Sequence, residues 1–157
     1  NQTSITMNRT ERAKEFFANH YNCSQSVLTA FAPELGLSVD QSLKVACAFG
    51  AGMGRQQLTC GAVTGALMAL GLKYGKALND SEDKKLNTYA KTQAFCEAFK
   101  KEHGSINCRE LLNGLDMNNP KDKERILADD LFNTKCPVYV ASAVQIAEQI
   151  MKNQEEE

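Results

Sequence analysis

Six cysteines, at positions 23, 47, 60, 96, 108 and 136, are the side chains of this sequence best suited to chemistry. A thiolate attacks disulfides, reacts with oxidants and binds soft metals, so several thiols in one chain point to redox chemistry, metal binding or core packing. None of the six forms a Cys-x-x-Cys pair, which removes the zinc-ribbon and thioredoxin signatures. Without Cys-x-x-Cys-His there is also no covalent haem site. A shared thiol site must therefore be assembled by the fold.

The elements that would assemble it read as helices. A helix from about Arg9 to Asn19 opens with the spacing of a capping box, Asn8 with Glu11. Asn22 is the N-cap of a second helix beginning at Cys23, which Pro33 and Gly36 end. Ser38 with Gln41 opens a third, with Val39, Leu43, Ala46 and Cys47 on one face. A Gly-rich segment, Gly50, Gly52 and Gly54, runs through Arg55 and Thr59 into Cys60 and a helix of small residues stopping near Gly75. Gly61 and Gly65 lie four apart on that helix, so a neighbouring backbone can approach closely. Asn79-Asp80-Ser81 opens the longest helix, which runs to about His103 with Gly104 as its C-cap and Leu86, Tyr89, Cys96 and Phe99 on its apolar arc. Asn107 and Glu110 repeat the capping-box spacing around Cys108. After the turn at Asn118-Asn119-Pro120, a short charged helix reaches Leu131 and Phe132. The last helix starts at Cys136-Pro137, and Val140, Ala143, Val144, Ala147, Ile150 and Met151 give it a clean period of 3.6. Strand alternation is absent over any useful length. The expectation is an all-α fold: a single compact bundle of six to eight helices, one domain over residues 1–157, with flexible ends at about 1–8 and 153–157.

This reading sorts the thiols. Cys23, Cys60, Cys108 and Cys136 fall at or beside helix N-termini, where orphan N–H groups and the helix dipole favour a thiolate. Arg55, Arg109 and Lys135 are basic neighbours in sequence. Cys47 and Cys96 fall mid-helix among apolar residues and read as packing.

Composition bounds the remaining classes. The 157 residues are 43% hydrophobic and 24% charged, with 18 basic and 19 acidic side chains. That balance predicts neither nucleic-acid binding nor a polybasic membrane contact. The longest apolar run, Cys60 to Leu72, falls short of the roughly 20 residues that span a bilayer. No charged-then-apolar leader stands at the N-terminus, and Met7 is a candidate native start. The chain needs no disulfide scaffold, so a reducing, cytoplasmic setting is expected.

The segment around Cys60 resembles the C_GCAxxG_C_C family of putative redox-active proteins. Its motif here is Cys60-Gly61-Ala62-Val63-Thr64-Gly65, continued by Ala66, Leu70, Gly71, Leu72 and Gly75. Cys23 in Tyr-Asn-Cys-Ser-Gln-Ser-Val-Leu, Cys108 in Gly-Ser-Ile-Asn-Cys-Arg-Glu-Leu-Leu and Cys136 in Cys-Pro extend the resemblance from about Ala13 to Ile150. The family label spells Gly before Cys, whereas Thr59 precedes Cys60 here. The resemblance implies that Cys23, Cys60, Cys108 and Cys136 are the family's four cysteines. It implies redox activity without a substrate, and members often lie near transporter genes.

Three functions remain open from sequence. The first is a thiol–disulfide or electron-transfer protein with Cys60 as nucleophile, an unidentified redox partner, and three possible pairings of four thiols. The second is a zinc or iron–sulfur site with Cys23, Cys60, Cys108 and Cys136 as ligands. The third is an anion or small-ligand module using Gly52, Gly54 and Arg55, with neither a P-loop nor a dinucleotide fingerprint to support it. The small-residue face of the Cys60 helix would serve equally a homodimer or packing within one chain.

Overall fold

The computed structural model describes residues 7–156, with side chains described through residue 153. Its helices are α1 (Arg9–Ala18), α2 (Cys23–Phe31), α3 (Val39–Cys47), α4 (Gly61–Tyr74), α5 (Glu82–His103), α6 (Cys108–Leu111), α7 (Pro120–Ala128), α8 (Leu131–Thr134) and α9 (Cys136–Glu156). A 3-10 turn, Ala32–Leu35, follows α2, and a tight turn, Gly50–Met53, precedes α4. Seven of the nine helices run nine residues or more, so the fold is an all-α bundle as the periodicity predicts. Among the described residues there is no strand, only an isolated antiparallel bridge between Thr59 and Asn107.

Capping chemistry sets several helix starts. The Asn8 side chain accepts the Glu11 N–H at 2.8 Å. Asn22 accepts the Gln25 N–H at 2.9 Å while Gln25 accepts the Asn22 N–H at 3.0 Å, a complete capping box at the first turn of α2. Ser38 accepts the Gln41 N–H at 3.1 Å. Asn107 differs: its side chain makes no cap bond, and its N–H donates to the Ser105 hydroxyl at 2.9 Å. Gly104 ends α5 in the left-handed region, at φ +88.

The centre of the bundle is the approach of α2 to α4. A Cβ on Gly65 would lie 2.7 Å from the Ser24 carbonyl oxygen, and one on Gly61 would lie 3.2 Å from the Cys23 Cβ. The small-residue face of α4 is thus used inside the chain. Around this contact, Val27, Leu28, Phe31, Ala62, Val63, Phe95, Phe99, Val140 and Val144 are buried. Each buried Leu, Val or Phe contributes roughly 1.5–3 kcal/mol over an exposed one. A second, smaller cluster joins Leu112, Met117, Ile126 and Leu131 to Cys108.

Several expectations from periodicity change. Cys47 is the last residue of α3 and is exposed, not mid-helix packing; Val39 is exposed with it, while Ala46 is buried as expected and Ser42 is buried beside it. The first half of α5 runs past the core, leaving Leu86 and Tyr89 each 55% exposed, and Phe95 with Phe99 carries the contact. The charged helix before α9 breaks at Asp129, because Asp130 adopts φ +53 and starts the separate turn α8. Of the two expected flexible ends, residues 1–6 lie outside the described residues, Asn8 caps α1, and α9 continues to Glu156. No helix among the described residues is long and apolar enough to cross a membrane.

Candidate thiol site

Cys23, Cys60, Cys108 and Cys136 line one cavity of about 160 Å³, walled by Phe17, Ala51, Leu111, Leu112, Met117, Phe132 and Tyr139. It sits on the seam between the two hydrophobic clusters. Cys23 and Cys60 pack with the larger one, and Cys108 and Cys136 with the smaller. A larger cleft of about 650 Å³, beside Arg12, Glu15, Phe16, Tyr21 and Thr29, contains no cysteine.

Local structure accounts for the convergence. Cys23 is the first residue of α2, held there by the Asn22 capping box. Asn22 also donates through its side-chain amide to the Cys47 carbonyl at 2.9 Å, fixing the end of α3 against the start of α2. Cys60 and Cys108 each follow one member of the Thr59–Asn107 bridge. The Cys60 N–H donates to the Ile106 carbonyl at 2.7 Å, and the Cys108 N–H donates to the Leu58 carbonyl at 2.6 Å. Side chains alternate across an extended backbone, so the residues after each bridge partner turn to the same side. Cys136 arrives from the first turn of α9. Tyr139, one turn on, donates its hydroxyl to the Leu111 carbonyl at 2.8 Å and pins α9 to α6.

The four thiols differ in environment. Cys23 and Cys136 are half-buried, whereas Cys60 and Cys108 are 5% and 9% exposed. Cys23 shares a hydrogen bond with Cys136 that holds Cys136 below the ordinary thiol value, with burial opposing. The same bond, reinforced by burial and by the negative charge its neighbours would carry, keeps Cys23 protonated well above that value. Burial pushes Cys60 up to about 11, although the Ala62 and Val63 N–H groups at the start of α4 pull the other way. Burial, with the nearby Cys60 and Cys136, pushes Cys108 up to about 12 against a hydrogen bond from Gln57. Burial also raises Tyr139, to about 12, and the thiolate charges of Cys136, Cys60 and Cys108 add to it.

This corrects the expectation that a helix start makes Cys60 the thiolate. The backbone donors are present at Cys60, but desolvation of a nearly inaccessible sulfur outweighs them. The basic neighbours also face elsewhere. Arg109 donates from Nε to the Gly114 carbonyl at 2.7 Å, Lys135 from Nζ to Asn113 at 2.9 Å, and Arg55 is exposed.

The Gly-rich segment forms an unusual turn. Ala51, Gly52, Met53, Gly54 and Arg55 all have φ between +54 and +69. A left-handed run of L-residues costs roughly 1–2 kcal/mol per non-glycine residue. The turn is tied by the Gly54 N–H donating to Gly50 at 2.9 Å and by Asn118 donating to the Arg55 carbonyl at 2.8 Å. Gly52 is packed against the Leu58 nitrogen, 2.5 Å from where a Cβ would stand. The turn presents Ala51 to the cavity; Gly52, Gly54 and Arg55 are not among the lining residues.

Gln57 gives no motif-level signal in sequence and yet organises this wall. It is 4% exposed, donates to the Leu115 carbonyl at 2.9 Å and accepts the Met117 N–H at 2.8 Å. The His103 ring packs on Phe99 and Tyr139, and its Nε2 has no hydrogen-bond partner. His20 lies outside the cavity, exposed, at φ +73.

Four thiols are a donor set suited to zinc or an iron–sulfur cluster. Among the described residues, however, no three His, Cys, Asp or Glu side chains are placed to hold a metal ion.

Residues 21–150 match the sequence model of a family described as putative redox-active protein (C_GCAxxG_C_C). A protein of Archaeoglobus fulgidus described as an uncharacterized protein is 27% identical over 159 residues, covering 94% of this chain and 99% of its own length. No solved structure matches the chain. With its four family cysteines around one cavity and the match extending from Tyr21 to Ile150, the chain belongs to the C_GCAxxG_C_C family of putative redox-active proteins.

Proposed function

We propose that the cavity is a redox dithiol site, within one helical domain, in which Cys136 is the attacking thiolate and Cys23 its partner. Their meeting at one cavity carries the reading, together with the hydrogen bond between them, which lowers Cys136 and keeps Cys23 protonated. A disulfide R–S–S–R is the substrate class. The Cys136 sulfur attacks one sulfur of it, forming a mixed disulfide and releasing R–S⁻. Cys23 gives up its proton and attacks the Cys136 sulfur. The mixed disulfide breaks, the second R–S⁻ leaves, and Cys23–Cys136 is closed. Two electrons pass from the protein thiols to the two R–S⁻ groups. A reducing cytoplasm, which keeps such thiols available between turnovers, suits this chemistry.

The test is free-thiol titration with metal and iron analysis, on protein purified with and without oxygen. The reading expects reversible loss of thiols including Cys23 and Cys136, without bound metal, while Cys47 and Cys96 stay free. Stoichiometric zinc or iron masking four thiols would replace the disulfide reading with a metal centre. Six freely titrating, inert thiols under both conditions would end both.

A further inference from the structure

The proposed Cys23–Cys136 chemistry leaves Cys60 and Cys108 unused, although both line the same cavity. Their burial limits what can oxidise them. Cys60 is 5% exposed and Cys108 9%, whereas Cys23 and Cys136 are only part-buried. A bulky disulfide therefore has its easier approach to Cys23 and Cys136. The two buried sulfurs flank one bridge, Thr59 with Asn107, and turn to the same side of it. The charges of Cys60 and Cys108 are felt at Cys23, and that of Cys136 at Cys60 and Cys108.

Resting on the reading of Cys23 and Cys136 as the redox pair, we infer that Cys60 and Cys108 are an inner dithiol, oxidised by exchange with the Cys23–Cys136 disulfide and not by the disulfide substrate directly. The site then holds two dithiols in series. Cys60 loses its proton and attacks the Cys23 sulfur; the Cys23–Cys136 bond breaks and Cys136 leaves as the thiolate. Attack at Cys23 follows from the close approach of α4 to α2, where a Cβ added to Gly61, the residue after Cys60, would stand 3.2 Å from the Cys23 Cβ. It also releases the outer sulfur that better carries negative charge. Cys108 then loses its proton and attacks the Cys60 sulfur, the Cys60–Cys23 bond breaks, and Cys23 leaves and is reprotonated. The inner pair has given up two electrons and two protons. The outer pair has regained its two electrons and can meet a second substrate disulfide. Closing the outer disulfide also removes the Cys136 charge that opposes ionisation of Cys60 and Cys108, so the first oxidation favours the second.

The experiment treats the Cys47→Ser/Cys96→Ser chain with excess oxidised glutathione under anaerobic, metal-free conditions. Samples are trapped by alkylation and mapped by peptide mass spectrometry. The expected order is Cys23–Cys136 first, then Cys60–Cys108. In the further Cys23→Ser/Cys136→Ser variant, oxidation of Cys60 and Cys108 should slow at least tenfold. Inner oxidation at the wild-type rate in that variant, or an inner disulfide that precedes the outer one in the parent, overturns the relay. So does a time course that stops at the outer disulfide. If the variant does not fold, the order in the parent decides. Failure to form Cys23–Cys136 at all is a separate result, which removes the redox-pair reading itself.

Discussion

Cys23, in the first turn of α2, and Cys136, in the first turn of α9, meet at one cavity and share a hydrogen bond that raises Cys23 and lowers Cys136. Each sulfur is delivered by unrelated local chemistry, an Asn22–Gln25 capping box on one side and Pro137 in the first turn on the other. The bond makes the two thiols unequal. Its removal should therefore be read at Cys136, the partner it acidifies.

Cys23→Ala removes the donor, so Cys136 should titrate higher. The pH profile of iodoacetamide labelling at Cys136, followed by peptide mass spectrometry, should move to higher pH. Cys23→Ser, which retains an O–H donor, should move it less. A Cys136 profile unaltered in Cys23→Ala would show that the bond does not govern its ionisation.

Cys60 links the site to stability. Its folded pKa of about 11 lies above the ordinary value of 9.0. Between those values the unfolded chain has lost the proton that the folded chain keeps. The contribution is thus fully present below pH 9 and is lost as pH rises towards 11, by about 2–3 kcal/mol. Urea unfolding at a series of alkaline pH values should show the decline, and Cys60→Ala should flatten it.

Gly65 and Gly71 offer a matched pair on α4. A methyl group at Gly65 meets the Ser24 carbonyl at 2.7 Å, whereas one at Gly71 meets nothing within 4 Å. Gly65→Ala should cost about 1–3 kcal/mol by forcing α4 from α2, and Gly71→Ala should gain roughly 0.5–1 kcal/mol from helix propensity. Denaturant midpoints of the two variants should shift in opposite directions.

Gln57→Ala strands two buried backbone groups, the Leu115 carbonyl and the Met117 N–H. Each costs roughly 1–3 kcal/mol when left unpaired. A loss of about 2–4 kcal/mol in urea unfolding is expected.

Much of the fold was legible because it is local. Asn8, Asn22, Ser38 and Gly104 mark helix ends by their own side chains or dihedrals, and the period of 3.6 along α9 identified Val140, Ala143, Val144 and Ala147 as buried. The small residues at 61 and 65 signal a close contact of α4 without naming α2 as its partner. Periodicity does not show how far a helix outruns the core, so Leu86 and Tyr89 fall on the apolar arc of the sequence and yet are exposed. Nor could position at a helix start weigh desolvation against backbone donors, and at Cys60 desolvation wins. Gln57 escaped because a lone glutamine beside a Gly-rich turn carries no pattern; its importance lies in contacts with Leu115 and Met117, far along the chain.

The central claim is that Cys136, and not Cys60, is the attacking sulfur. The most direct measurement uses Cys23→Ser, which cannot close the outer disulfide, exposed briefly to oxidised glutathione at neutral pH and mapped by peptide mass spectrometry. The account predicts a glutathione adduct on Cys136 ahead of every other buried or half-buried thiol. An adduct that accumulates first on Cys60 would contradict it and return the nucleophile to the start of α4.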